Sequence, residues 1–167
     1  MPKAFYSTVL DHTADEIWAV IRPFDQYAWA GISGTTVIEN ERAGDQVGAI
    51  RRIVMDDGIV RRQILLAHSD IERSYTYAIC DPPYLPIENY VSTIRITPIT
   101  DTGNALVEWT ATFDCDQSER DRWVGFFEKD GFAKWLDGLR QYMGGEDSAG
   151  RTGGGYAPHE TERGDGL

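Results

Sequence analysis

ALVEWTATFDCDQSERDRWVGFFEKDGFAKWLDGLRQYM, residues 105–143, places a strand pattern directly before a helix pattern. Up to residue 115 apolar and polar residues alternate, which is typical of a β-strand with one buried face. Farther on, apolar residues recur mostly three or four positions apart, at Trp123, Phe127, Phe132, Trp135, Leu136, Leu139 and Met143. This spacing predicts a long amphipathic C-terminal helix. Ser118 is its predicted N-cap and Gly144-Gly145 its predicted end.

The chain upstream of this stretch carries one short helix and six more strand patterns. Alternation over residues 3–11 predicts an N-terminal strand. Thr13-Ala14-Asp15-Glu16 has the form of a capping box, so a helix is expected to begin there and to end near Pro23. Strand patterns then follow at residues 35–42, 47–55, 59–69, 74–80 and 90–99, before the one at 105–115. Turn signals at Asp57-Gly58 and at residues 101–104 predict antiparallel neighbours.

This order of elements predicts an α+β fold in which a curved seven-stranded antiparallel sheet grips the long C-terminal helix. A sheet of that size curls, and one helix leaves more interior than side chains fill. We therefore expect an internal cavity, with a tightly packed core as the alternative. At 167 residues the chain suits one domain, predicted over residues 1–144. Residues 145–167 are rich in glycine and polar residues and are predicted to form a flexible tail.

The composition restricts the partners that the protein is expected to have. A formal net charge of -11 argues against nucleic acid or anionic membranes, because basic patches bind both. No apolar run is long enough to cross a membrane, and the N-terminus lacks the apolar core of a signal peptide, so we expect a cytoplasmic protein. We expect it to be a monomer or a homodimer. Cys80 and Cys115 are expected to be reduced thiols. The histidines are scattered and no glycine-rich phosphate loop precedes a helix, so neither a metal nor another cofactor is expected.

Five short motifs occur in a characteristic order: Pro23-Phe24-Asp25-Gln26-Tyr27, Val47-Gly48-Ala49-Ile50-Arg51, Leu65-Leu66, Asn89-Tyr90-Val91-Ser92-Thr93 and Val107-Glu108-Trp109. On these motifs the chain, from about residue 5 to residue 143, resembles the START-like, birch-pollen-allergen-like superfamily (SRPBCC, Bet v 1-like). Within it the chain is most similar to the polyketide cyclase/dehydrase group, which includes lachrymatory-factor synthase and is related to the abscisic-acid receptors. The resemblance implies a helix-grip fold with a cavity for hydrophobic ligands. Functions in the superfamily range from ring closure and dehydration to passive carriage and hormone sensing, so membership does not fix function.

Two polar residues stand at positions where the resemblance implies a role. Arg51 matches the arginine after the Val-Gly-x-x motif, and an arginine that faces an apolar cavity usually holds a carboxylate, enolate or phenolate oxygen. The alternative is a surface arginine, since Arg52 beside it points the opposite way. Gln63 stands where relatives commonly have a glutamate that handles a proton. Glutamine cannot exchange a proton near neutral pH, which weakens the transfer of dehydratase chemistry. Gln63 is then either a ligand contact or an ordinary strand residue.

Two neighbouring strands direct further candidate residues inward. Tyr90 and Ser92 share a strand face, and they match positions that touch ligand or ligand-linked water in the receptor-like relatives. Tyr77 and Ile79 share a face on the preceding strand. Tyr90 and Arg51 are the predicted catalytic residues, with the tyrosine as a proton relay or a donor to a developing oxyanion. The alternative for each tyrosine is a core residue with a hydrated hydroxyl.

The last strand, the C-terminal helix and two loops complete the predicted site. By parity Trp109 points inward and Glu108 outward, so Glu108 is not a candidate base. Three helix positions match those that line the cavity in relatives: Phe127, Gly131 and Trp135. Their alternative role is plain helix-on-sheet packing. Trp29 and the hairpin at residues 56–59 occupy the places of entrance loops in relatives.

Two functions remain open from the sequence. The first is a cofactor-free enzyme that acts on a small carbonyl or aromatic compound by cyclisation, dehydration or isomerisation, with Arg51 stabilising an enolate-like oxygen. The second is a non-catalytic carrier or sensor of a hydrophobic metabolite. Gln63 in place of a carboxylate favours the second, whereas the polar set around Arg51 favours the first. A receptor-like interaction module is disfavoured, because residues 55–58 are Met-Asp-Asp-Gly where the receptors have Ser-Gly-Leu-Pro.

Overall fold

The computed structural model describes residues 1–150, with side chains through residue 144, and in this part of the chain seven strands form one curved antiparallel sheet. The strand order across the sheet is β1-β7-β6-β5-β4-β3-β2. The strands are β1 (Lys3–Leu10), β2 (Gly34–Ile38), β3 (Ile50–Met55), β4 (Val60–Ser69), β5 (Ser74–Ile79), β6 (Glu88–Pro98) and β7 (Ala105–Asp114). The helices are α1 (Ala14–Ile21), α2 (Arg120–Gly125), a π-helical segment (Phe126–Ala133) and α3 (Lys134–Gly150). The predicted α+β helix-grip fold is confirmed.

Consecutive strands from β2 to β7 pair with each other, and β1 closes the far edge by pairing with β7. The predicted turn at Asp57-Gly58 joins β3 to β4: Gly58 has a φ of 81°, and the Asp57 carboxylate accepts a 2.9 Å hydrogen bond from the Ile59 amide. A positive φ suits glycine because glycine lacks a Cβ atom. The capping box of α1 is also confirmed, with Thr13 and Glu16 each accepting from the other's backbone amide.

The loop between β2 and β3 is longer than the alternation of residues predicted. β2 ends at Ile38 and β3 begins at Ile50, so residues 39–49 are not strand. The Asn40 side chain donates to the Gly48 carbonyl at 2.8 Å and accepts from the Ile50 amide at 3.2 Å. Because the Asn40 side chain bonds these two backbone groups, they are not available to continue the hydrogen-bond ladder between β2 and β3.

The C-terminal helical segment differs from its prediction at both ends. Asp116, not Ser118, is the cap: its carboxylate accepts from the Ser118 amide at 2.9 Å and from the Ser118 hydroxyl at 2.8 Å. A short 3₁₀ turn, Gln117–Glu119, then leads into α2. The helix also continues through Gly144 to Gly150, because glycine permits a helix end without imposing one. The tail predicted from residue 145 lies outside the described residues beyond Gly150.

The core lies between the inner face of the sheet and this helical segment. Phe132 stacks on Trp109 of β7 with ring centroids 5.0 Å apart, and Leu136, Leu139 and Met143 are buried along α3. Glu108 takes the opposite parity from Trp109, as predicted. Cys80 and Cys115 are both free thiols. In the described part of the chain, every helix is too short or too polar to cross a membrane.

One glycine sets how closely α3 approaches the rest of the domain. A Cβ atom on Gly138 would lie 2.7 Å from the carbonyl carbon of Ala30 and 2.8 Å from its oxygen. Ala30 ends a 3₁₀ turn, Ala28–Ala30, whose backbone therefore rests directly on the helix. By contrast, a Cβ atom on Gly125 would meet nothing within 4 Å.

We predict opposite effects for alanine at these two helical glycines. Gly138→Ala should lower the free energy of unfolding by about 1 to 3 kcal/mol, because its methyl group overlaps backbone that cannot move aside. Gly125→Ala should raise it by about 0.5 to 1 kcal/mol through the lower conformational entropy of the unfolded chain. Urea unfolding of both variants measures this. Equal effects would show that the α3 contact with Ala30 is not tight.

Candidate functional site

An internal cavity of about 320 Å³ lies between the sheet and the helical segment. Its sheet side comes from β3 to β6 and its helix side from the π-helical segment and the start of α3. The lining residues are Tyr27, Ile32, Met55, Arg61, Gln63, Tyr77, Tyr84, Leu85, Tyr90, Phe126, Phe127, Asp130, Lys134 and Trp135. The cavity is partly open to solvent beside Asp130 and Lys134, which are exposed. A concave space walled by aromatic side chains with a few polar groups is typical of small-molecule sites.

Arg51 lies behind this wall with none of its surface exposed. Its position on β3, opposite Gln63 of β4, directs it inward as predicted. The guanidinium carbon is 4.1, 4.3 and 4.9 Å from the ring centroids of Phe24, Tyr27 and Tyr77. Within residues 1–144 its hydrogen-bond partners are Gln63 and the Phe24 carbonyl, and its Nη2 atom has none. The charge is therefore held by rings and neutral oxygens, without a carboxylate.

A hydrogen-bonded chain connects Arg51 to the cavity. Its Nε donates to the Gln63 Oε1 at 2.7 Å, and the Gln63 Nε2 donates to the Tyr84 hydroxyl at 2.9 Å. Because a guanidinium can only donate, the amide oxygen of Gln63 must face Arg51 and its NH₂ group must face Tyr84. The Tyr84 hydroxyl thus accepts from Gln63, which leaves its own proton for an acceptor in the cavity. Hydrogen bonds in such a chain polarise one another, so the cation strengthens Tyr84 as a donor.

The tyrosines around this chain are neutral at physiological pH. Burial raises the pKa of Tyr75 and of Tyr84 to about 12, and it raises the pKa values of Tyr27 and Tyr90 well above the usual range. Burial alone would lower the pKa of Arg51, but neighbouring tyrosine hydroxyls, that of Tyr75 first, hold it above its usual value. The site therefore offers a fixed cation and neutral hydroxyl donors, not phenolate bases.

The structure brings most of the predicted site residues together. Five of them line the cavity: Gln63, Tyr77, Tyr90, Phe127 and Trp135. Arg51 lies one layer behind them. Gly131 is buried in the π-helical segment, where a Cβ atom would stand 3.3 Å from the Trp135 ring. The missing side chain gives space to the indole that forms part of the cavity wall.

Four predicted site residues lie outside the lining of this cavity. The Ser92 hydroxyl donates to the Thr110 carbonyl at 2.8 Å and accepts from the Trp109 Nε1 at 2.9 Å, so both groups are satisfied within the core. Ile79 lines a smaller adjacent groove. Trp29 is buried, and its Nε1 donates to the Gln26 carbonyl, which corrects its prediction as an entrance residue. Strand parity indicated inward positions correctly, but it does not separate cavity wall from packed core.

Nine lining residues were not among the predicted site residues, and five of these nine carry polar groups. Two of the five, Tyr27 and Tyr84, lie on loops, and two more, Asp130 and Lys134, lie on the helical segment. The alternation of strand residues does not predict the direction of side chains at such positions. Arg61 is different, because it shares the parity of Gln63 two residues later on β4. That parity is a signal from which Arg61 could have been found. Within the described residues no group of His, Cys, Asp and Glu side chains is arranged to hold a metal ion.

The fold and this cavity define a ligand-binding domain. A family model described as polyketide cyclase/dehydrase and lipid transport matches residues 1–144, and the chain belongs to that family. No curated protein matches the chain.

Solved structures show the same fold. The protein XoxI from Bacillus cereus superposes with a TM-score of 0.75 at 24% identity, over 88% of this chain and 99% of the other. A protein from Nitrosospira multiformis gives a TM-score of 0.69 at 26% identity, with the same coverage of 88% and 99%. Norcoclaurine synthase from Thalictrum flavum, solved with dopamine and hydroxybenzaldehyde, gives 0.66 at 14% identity, over 84% of this chain and 85% of the other.

The buried tyrosines predict a loss of stability at alkaline pH. In the unfolded chain a tyrosine ionises near about pH 10, whereas in the folded protein burial raises the pKa of Tyr75 and of Tyr84 to about 12 and raises the pKa values of Tyr27 and Tyr90 well above the usual range. The neutral form is thus favoured by folding, so the free energy of unfolding falls as pH rises beyond about 10. Urea unfolding and tyrosinate absorbance measure this. If all tyrosines ionised together near about pH 10 in the folded protein, these four hydroxyls would not be shielded from water as described.

Proposed function

We propose that the cavity binds a small aromatic or carbonyl-type molecule and that the protein acts on it as a cofactor-free cyclase, dehydratase or isomerase. The observation that carries the proposal is the chain from Arg51 through Gln63 to Tyr84. It presents a polarised hydroxyl donor inside an aromatic cavity. A carbonyl oxygen is the acceptor that such a donor suits, and the surrounding rings suit a flat apolar body.

The chemistry would depend on charge that develops on the ligand oxygen. When a proton leaves the carbon next to a carbonyl, or a nucleophile attacks the carbonyl, the oxygen becomes more negative. The hydrogen bond from Tyr84 strengthens as this charge forms, and Arg51 supports it through Gln63. An interaction that is stronger in the transition state than with the bound substrate accelerates the reaction. The aldehyde bound by norcoclaurine synthase supports this ligand class by analogy.

The second candidate function is carriage or sensing of the same kind of ligand. It is favoured by the lack of an evident base, because the one carboxylate in the cavity lining, that of Asp130, lies 3.3 Å from the Lys134 ammonium. Gln63 cannot accept a proton, and the buried tyrosines stay neutral. Under the enzymatic proposal a bound water or the substrate itself takes the proton.

We predict that Tyr84→Phe weakens the binding of para-hydroxybenzaldehyde by about 3- to 10-fold, because one hydrogen bond to the carbonyl oxygen is lost. Isothermal titration calorimetry measures the affinity. Tyr142→Phe on the exposed side of α3 is the matched control and should leave it unchanged. Tyr84→Phe is a sharper variant than Arg51→Ala, which would empty a fully buried site and destabilise the core. An unchanged affinity in Tyr84→Phe would exclude this hydroxyl as the ligand donor.

Enzyme and carrier are separated by following a bound molecule over time. Native mass spectrometry of protein purified from its own host identifies an extracted ligand, which is then returned to fresh protein and followed by NMR. Conversion that is at least about 10-fold slower in Tyr84→Phe supports catalysis through the proposed hydroxyl. Tight binding with no conversion by the wild-type protein supports the carrier.

A further inference from the structure

Two arginine pairs face each other across β3 and β4. Arg51 and Arg52 are adjacent on β3, and Arg61 and Arg62 are adjacent on β4. In the sheet register Arg52 lies opposite Arg62, while Arg51 lies opposite Gln63. Each pair therefore sends one guanidinium to the outer face of the sheet and one to the inner face, because alternate strand residues point to opposite sides.

The two outward arginines share a carboxylate. Glu39 receives a bidentate pair of hydrogen bonds from Arg62, the shorter at 2.7 Å, and lies 3.8 Å from Arg52. The hydrogen bond from Arg62 lowers the pKa of Glu39. The two outward charges are thus partly neutralised by a carboxylate and partly hydrated, as is usual for surface arginines.

The two inward arginines have no carboxylate partner within residues 1–144. Arg51 is fully buried and its Nη2 atom has no hydrogen bond. Arg61 lines the cavity, its Nε atom is shielded from solvent without a partner, and its guanidinium carbon lies 5.5 Å from the centre of the Tyr84 ring. Aromatic rings hold a guanidinium in place but do not cancel its charge. The cavity wall formed by β3 and β4 is therefore positively charged in a chain of net charge -11.

From this juxtaposition we propose that the ligand is an organic anion, a small aromatic carboxylate or a compound with an equivalent ionised oxygen group. The inference rests on the proposed binding function and adds the charge of the ligand. Two unneutralised guanidiniums beside an apolar space favour a ligand that brings the missing negative charge.

The geometry assigns the ends of such a ligand. The Arg61 guanidinium, beside Tyr84, presents the planar fork that fits a carboxylate. The aromatic body then lies toward Phe126, Phe127 and Trp135 on the helix side. The remaining charged lining residues, Asp130 and Lys134, pair with each other at 3.3 Å and leave the charge of Arg61 uncompensated.

The test compares two probes of the same ring and nearly the same size, para-hydroxybenzoate and para-hydroxybenzamide. Wild-type protein should bind the carboxylate about 10-fold or more tightly than the amide, as expected for hydrogen bonds to an ionised group. Arg61→Gln should abolish that preference. Arg62→Gln removes the same charge from the neighbouring outward position and should keep it. Calorimetry at two salt concentrations measures the six affinities, two probes for each of the three proteins.

A second variant tests the contribution of Arg51 without removing it. Gln63→Glu preserves the side-chain shape and places a carboxylate 2.7 Å from the Arg51 Nε, where the amide oxygen now stands. It should reduce the preference for para-hydroxybenzoate by about 10-fold, because the internal carboxylate replaces the charge of the ligand. Thermal melting of each variant verifies that it is folded.

Each outcome decides between the proposals. Equal affinities for both probes in wild-type protein, or an unchanged preference in Arg61→Gln, would overturn the anionic ligand while leaving the binding of carbonyl compounds in place. If neither probe nor para-hydroxybenzaldehyde binds, the anionic ligand and the proposed function both fail. Loss of the preference in Arg61→Gln together with its retention in Arg62→Gln supports an ionised ligand group at Arg61.

Discussion

The burial of the Arg51 guanidinium without a counter-ion is the constraint on which the rest of the site depends. Removing such a charge from water costs several kcal/mol unless polar and aromatic groups replace its hydration. Here the rings of Phe24, Tyr27 and Tyr77 surround the guanidinium, and the Gln63 side-chain oxygen accepts one hydrogen bond from it. These residues come from the loop after α1 and from two strands, so the cation ties together parts of the chain that also form the cavity wall. Tyr27, Tyr77 and Gln63 therefore stabilise the buried cation and also line the cavity.

The sheet could be predicted well because strand parity is a strong local signal. Adjacent residues point to opposite faces, which is why the outward direction of Glu108 followed from the sequence, whereas the inward direction of Arg51 was one of two alternatives that the sequence left open. The ends of the C-terminal helix could not be predicted so well. Ser118 and Asp116 both have capping side chains, and only the backbone geometry selects Asp116. Gly144 permits a stop that the helix does not make.

The candidate site was predictable where it lies on regular strands and at two helix positions that match the family, Phe127 and Trp135. Gln63, Tyr77 and Tyr90 follow from alternation and from the family resemblance, but Tyr84 lies on the loop between β5 and β6, where sequence spacing does not fix direction. For Ser92 and Trp109 the inward direction was predicted correctly, but these residues lie in the packed core and do not line the cavity. Whether the family member catalyses or carries depends on individual groups such as Gln63, which fold and family do not determine.

The π-helical segment, Phe126–Ala133, has an evolutionary consequence. A π-turn is equivalent to one residue inserted into an α-helix, and each residue of an α-helix turns the chain by about 100°. The wide turn absorbs this rotation, so that Trp123 before the segment and Leu136 and Leu139 after it are all buried. Loss of a single residue within the segment would therefore narrow the turn to regular α-helix and change the cavity wall at Phe126 and Phe127, while the buried residues of α3 would keep facing the sheet. The cavity wall can thus change in evolution without a change in the register of α3.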